Sequence, residues 1–151
     1  MAAVLLLLQA FASLYMTGLI WFVQLVHYPM FADVPRDVFV EYERIHQART
    51  TWAVGPMMLL ELGTAIAMFW HRPTGVPAWL PWVGLALLLL VDGSTAIFFG
   101  PQHGRLSAGF DERLHRQLVD WNWLRTFGWT ARGALLLYAT YLWSSATRVG
   151  V

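Results

Sequence analysis

The sequence predicts an all-α fold: an integral membrane four-helix bundle, one transmembrane domain over residues 1–151, with two interfacial amphipathic helices on one side. Three observations predict it. The chain is 58% hydrophobic and 13% charged, about half the charge of a soluble domain, which could not hide so much apolar surface. Four stretches are apolar over the ~20 residues that a helix needs to cross a bilayer. The few ionisable residues within them recur at three- and four-residue steps, the period of one helix face.

The first span fits residues 3–26, since no charge occurs from Met1 to Ala32. A leader cleaved at Ala10-Phe11-Ala12 is the rival reading, but it lacks a basic start and the apolar run continues past it. The second span, 51–70, is interrupted only by Glu61. The third, 76–99, contains Asp92, and the fourth, 121–145, carries Arg125 and Arg132.

His71 to Gly75 reads as a tight turn through Pro73 and Gly75. The connections 27–50 and 100–120 are longer and hold most of the charge. In the first, Asp33 is placed to cap a helix starting at Pro35, with Phe39, Tyr42, His46 and Arg49 at helical spacing and the helix running on toward the second span. In the second, Gly100-Pro101-Gln102-His103-Gly104 reads as a turn, and Asp111 caps a helix from Glu112. His115, Leu118, Asn122, Arg125, Trp129 and Arg132 then form one stripe. It should face the bundle interior, because lipid does not tolerate such polarity.

The long connections carry Arg36, Arg44, Arg49, Arg105, Arg113 and Arg116, against Arg72 and Arg148 on the other side. The positive-inside rule therefore predicts a multi-pass protein with cytoplasmic long connections. The halves echo each other. Glu43-Arg44-Ile45-His46 is followed six residues later by Trp52, and Glu112-Arg113-Leu114-His115 six residues later by Trp121. Duplication of a two-span unit would produce this; chance agreement of four positions is the alternative.

Composition excludes several chemistries. Without cysteine there are no disulfides, thiol redox steps, zinc fingers, iron–sulfur clusters or thiolate-bound haem. All ten basic residues are Arg, which removes Schiff-base chemistry. A net charge of +1 gives no electrostatic case for nucleic acid.

Four of the five histidines fall on the side of the long connections: His27, His46, His103 and His115. Neutral imidazole ligates iron, copper, zinc or haem iron, so these four are the candidate metal ligands. At 1.5 Å per residue, Glu61, Asp92 and Arg132 lie roughly 12–16 Å in from that side and Arg125 about 6 Å. Pairing as Glu61–Arg132 and Asp92–Arg125, or the swapped arrangement, would neutralise them. The two Glu-x-x-His segments, Glu43/His46 and Glu112/His115, invite a dimetal reading completed by Glu61 and Asp92. The depth of those two acids counts against it, and Glu43 and Glu112 can instead be solvated partners of Arg44 and Arg116. Two or three of the four histidines holding one metal or a haem is the other form. Most tryptophans lie near span ends, as interfacial anchors do, but Trp129 and Tyr42 sit on polar stripes and could wall a pocket for a flat ligand.

Two segments carry a resemblance: His27-Tyr28-Pro29-Met30-Phe31, and the run Gly109-Phe110-Asp111, His115, Asn122-Trp123-Leu124-Arg125-Thr126, Trp129 and Arg132. Together they resemble a group of small bacterial four-span membrane proteins without assigned activity, over nearly the whole chain. The resemblance implies four spans in a bacterial inner membrane and transfers no reaction. In span number and polar helix ends the chain is also similar to the DUF1772 group of four-span proteins, which includes anthrone oxygenases.

The functional expectation is a membrane oxidoreductase or oxygenase. It would bind iron, copper or haem through His27, His46, His103 and His115. Glu61 and Asp92 would tune ligands or relay protons. Asn122, Arg125 and Arg132 would orient a lipophilic substrate such as a quinone or polycyclic phenol. Its partners would be the lipid bilayer and that small molecule, with a second copy or a membrane complex possible. The alternatives are a binding or transport module that recognises an anionic lipid or small acid through Arg125, Arg132 and His115, and a structural subunit of a membrane complex.

Overall fold

Residues without charge dictate the first element: Ala2–Phe22 form helix α1. Pro29 then poses a local problem, because it has no N–H and its ring presses on the carbonyl four residues back. The chain widens to accommodate it. Val23–His27 form a π-helical turn, closed by Tyr28 N–H donating to the Val23 carbonyl at 2.9 Å, and Pro29–Asp33 follow as a 3-10 turn. Pro101 meets the end of α3 (Leu80–Ser94) in the same way. Thr95–Phe99 widen into a π turn, Gly100 N–H donates to the Thr95 carbonyl, and the chain continues as α4 (Gly100–Leu106). In both halves the proline stands two residues past the π turn. The same proline and π-turn geometry thus occurs in both halves, as does the Glu-Arg-x-His echo.

Each half ends in a long helix, α2 (Phe39–Ala67) and α5 (Glu112–Val149). The computed structural model describes residues 1–149 and is all-helical, with no strand among the described residues. α1 packs against both α2 and α5, and α3 does the same. Two stretches, Ala2–Asp33 and Leu80–Leu106, are long and apolar enough to cross a membrane.

The interior is layered. One apolar cluster joins Leu6, Met68, Val76, Leu80 and Leu136. A second joins Met16, Ile20, Leu88, Val91, Phe99 and Trp129, and extends to Phe31 and Phe39. Between them lies a buried polar layer of Gln9, Ser13, Glu61 and Arg132. α3 and α5 approach closely because Gly128 has no side chain; a Cβ there would overlap Val91. Gly75 (φ +82°) turns the chain after α2, where a Cβ would meet that of Ala146 at 2.5 Å.

Several expected boundaries move. The helix expected from Pro35 begins at Phe39, and Asp33 closes the 3-10 turn instead of capping it. Val34 is extended (φ −72°, ψ 126°), as a residue before proline tends to be. The expected turn at 100–104 is helical, because Pro101 suits a first helical turn. The helix expected from Val76 starts at Leu80. The two amphipathic segments are not separate elements but the first turns of α2 and α5. The Asp111 cap is present: its Oδ1 accepts from Leu114 N–H at 2.8 Å.

Candidate metal centre and adjoining pocket

The two π turns deliver the residues that matter. The first presents His27 and Tyr28, and the second leads into α4, which carries His103. α2 contributes Glu43 and His46, three apart and so on one face. Glu43, His46 and His103 are all buried, and one potential ligand atom from each lies within 4.8 Å of the others. An ion bonded at about 2.0–2.2 Å closes that spacing with side-chain rotation.

Hydrogen bonds set the protonation pattern. Glu43 Oε1 lies 2.6 Å from His103 Nδ1, and a carboxylate only accepts, so that nitrogen carries the proton. His103 Nε2 then accepts from the Tyr28 hydroxyl at 2.8 Å. The Tyr28 oxygen in turn accepts from Arg125 Nη2 at 2.9 Å. Seating an ion would replace one of the two His103 bonds. Glu43 Oε2 is buried and has no partner, which leaves it available as a ligand.

His46 sits beside His27, with Nδ1 2.8 Å from His27 Nε2 and 3.1 Å from Thr50 Oγ1. With the proton on His46 Nδ1 donated to His27, its Nε2 keeps a lone pair, and His27 becomes the group that orients it. Burial, then the neighbouring His103 and His27 rings, push the His46 pKa down to about 3. Its imidazole is therefore neutral, as a metal ligand must be.

His115 is not part of this cluster. Its ring stacks near Phe31, centroids 6.3 Å apart, and its Nε2 donates to the Tyr28 carbonyl at 2.8 Å. The dimetal arrangement is not built either. Glu112 is exposed and pairs with Arg116 at 2.6 Å, while Arg44 pairs with Glu41 rather than Glu43. Glu43, weighed from sequence as a solvated partner of Arg44, is instead fully buried.

The deep charges divide. Glu61 and Arg132 pair at 2.9 Å with no exposure. Arg132 also donates to the Gly84 carbonyl, and Gln9, with its amide oxygen turned toward the guanidinium, accepts from Arg132 Nη2 at 3.1 Å. Trp129 Nε1 donates to the second Glu61 oxygen at 3.0 Å. Gln9 of α1, Glu61 of α2, Gly84 of α3 and both Trp129 and Arg132 of α5 thus meet in one hydrogen-bonded knot. Asp92 does not pair with Arg125, and one of its oxygens is buried without a partner. Arg125 instead bonds Asn122 Oδ1 from Nε at 2.9 Å, and Asn122 Nδ2 donates to Gln24 Oε1 at 2.8 Å.

A cavity of about 190 Å³ adjoins the His cluster. Met16, Ile20, Val54 and Met58 form its apolar walls, Phe99 and Trp129 its aromatic ones, and His46, His103, Tyr28 and Arg125 its polar end. Trp129 lines this pocket. Tyr42 does not line it; its ring packs edge-on against Phe31 at 5.5 Å. Tyr28, Gln47 and Thr95 were not among the expected site residues, and Glu43 was weighed as a ligand only as part of the dimetal reading. The spacing of Glu43 to His46 and the adjacency of Tyr28 to His27 were the signals for two of them. Gln47, which donates to Glu43 Oε1 at 3.3 Å, had no such signal.

No family model matches this chain, and no curated protein or solved structure matches it.

Proposed function

We infer that this chain is a multi-pass membrane protein that holds one non-haem metal ion on Glu43, His46 and His103, and that it acts as an oxidoreductase or oxygenase on a small lipophilic molecule in the adjoining cavity. The carrying observation is the buried Glu43 carboxylate, one oxygen unpartnered, facing imidazoles from two other turns of helix. A buried acceptor without a partner costs about 1–3 kcal/mol, so such atoms call for an occupant. Two imidazoles and one carboxylate suit iron(II), with open positions, or zinc. Bound there, a redox metal would supply one-electron chemistry. The chain's own residues would orient His46 through His27, hold the Tyr28 proton toward His103, and keep water from the apolar walls. The cavity exceeds only slightly the about 150 Å³ that accommodates benzene, which favours a bare ion over a haem macrocycle.

Membrane insertion as a four-span bundle is supported by an inverted surface. Phe11, Phe22, Leu59, Ile97 and Phe127 are exposed, while Gln9, Gln24, Glu61, Asn122 and Arg132 are buried. Exposed Trp52, Trp70, Trp79, Trp82 and Trp121 suit the headgroup level. We place the chain in a bacterial inner membrane, with the His cluster toward the cytoplasmic face by the arginine asymmetry.

The test is metal analysis of detergent-purified protein after loading with iron(II), copper or zinc. One equivalent is expected in the wild type and a loss in Glu43→Gln and His103→Ala. Absence of stoichiometric metal under all three loadings would overturn the reading.

A further inference from the structure

Two arginines on the same stripe of α5 are treated differently. Arg132 is neutralised by Glu61. Arg125 is 6% exposed, yet it makes no ion pair among the described residues. Its Nε and Nη2 are occupied by the Asn122 amide oxygen and the Tyr28 hydroxyl, neither of them a carboxylate. Its Nη1 has only Thr95 Oγ1 at 3.5 Å, the weak end of a hydrogen bond. The guanidinium carbon lies 3.5 Å from the centroid of the Phe99 ring. A ring face offsets only part of what burying an ion costs. The nearest acid along the hydrogen-bond chain is Glu43, reached only through Tyr28 and His103.

Arg125 is thus a buried cation without a carboxylate partner among the described residues, on the lining of a largely apolar cavity. We propose that the cavity binds a small aromatic oxyanion, with its charged oxygen on Arg125 Nη1 and its ring among Ile20, Val54, Met58 and Trp129. This deepens the reading of the cavity as the ligand site beside the metal. Size argues for one ring, since about 150 Å³ holds a benzene and this cavity offers about 190 Å³. Arg132 and His115, the other members of the anion set expected from sequence, are already committed to Glu61 and the Tyr28 carbonyl.

The experiment is calorimetric titration of EDTA-treated, detergent-purified protein with benzoate and with its neutral isostere benzamide. Benzoate is expected to bind one to one, about tenfold or more tighter than benzamide, the worth of one charge-assisted hydrogen bond. Arg125→Gln should remove that preference and leave benzamide binding in place. Val54→Trp, which fills the cavity from its apolar wall, should abolish binding of both. Equal affinity for the two probes in the wild type, a comparison that needs no variant, overturns the proposal. So does benzoate binding that survives Val54→Trp. Oleate binding that depends on Arg125 while benzoate does not bind would assign the site to a lipid acid and also overturn it. Because the metal is removed, the two readings fail separately. Benzoate binding in a protein that never takes up metal sinks only the metal centre, and stoichiometric metal without benzoate binding sinks only this inference.

Discussion

Arg132 Nε donates to Glu61 Oε1 at 2.9 Å, and neither side chain reaches solvent. With Gln9 and Gly84 completing the guanidinium and Trp129 the carboxylate, this pair joins four helices at one level. Breaking one side leaves the other charge buried and unpaired. Glu61→Gln and Arg132→Met are each expected to cost about 3–5 kcal/mol of stability. The double change Glu61→Met/Arg132→Met should cost clearly less than the sum of the two single losses. Unfolding by denaturing detergent, followed by tryptophan emission, reads all three. Silent single changes would show that the pair does not hold the helices together.

His115 and Glu43 should separate cleanly, although each comes from a Glu-x-x-His segment. His115→Ala removes the donor to the Tyr28 carbonyl and should lower stability by about 1–3 kcal/mol, with metal content unchanged. Glu43→Gln should lose the metal. Elemental analysis beside thermal unfolding checks both; metal loss in His115→Ala would return that ring to the ligand set.

The pH dependence follows from His46. Unfolded, its imidazole takes a proton near pH 6.5; folded, it stays neutral down to about 3. Between those values the unfolded state binds the extra proton, so stability falls as pH falls below 6.5 and is fully present above it. One such proton shifts the folding equilibrium by about tenfold per pH unit. His46→Gln, which cannot titrate, should flatten the metal-free stability profile between pH 6.5 and 4. An unchanged slope would mean that His46 is not the group responsible.

Gly128 tests the close approach of α3 and α5. Gly128→Ala places a methyl against Val91 and should destabilise by about 1–3 kcal/mol, the usual cost of overpacking. Val91→Ala in the same chain should recover part of that loss. A double variant no more stable than Gly128→Ala would locate the strain elsewhere.

Much of the fold was legible because it is local. The charge-free run before Ala32, the Asp111 cap and the stripe from His115 to Arg132 are features of single segments, and each stands where expected. The Glu61–Arg132 pair was legible through depth along two helices. The π turns were not, because the proline that demands widening also fits an ordinary loop. Asp92–Arg125 failed because depth along a helix does not say which sides face each other, and Arg125 turns to Tyr28 and Phe99 instead.

By itself, the sequence determined an all-helical chain with apolar flanks and a few ionisable groups kept on helix faces, since hydropathy and spacing act within a segment. Only the tertiary structure decided which of those groups meet. Glu43 left water for His103, His115 was drawn to a backbone carbonyl, and Arg125 was left facing a cavity without an acid. Partner choice depends on how far each helix is rotated and how closely it packs. Those quantities are set by contacts such as Gly128 on Val91 between segments distant in the chain, and no periodicity within one segment encodes them.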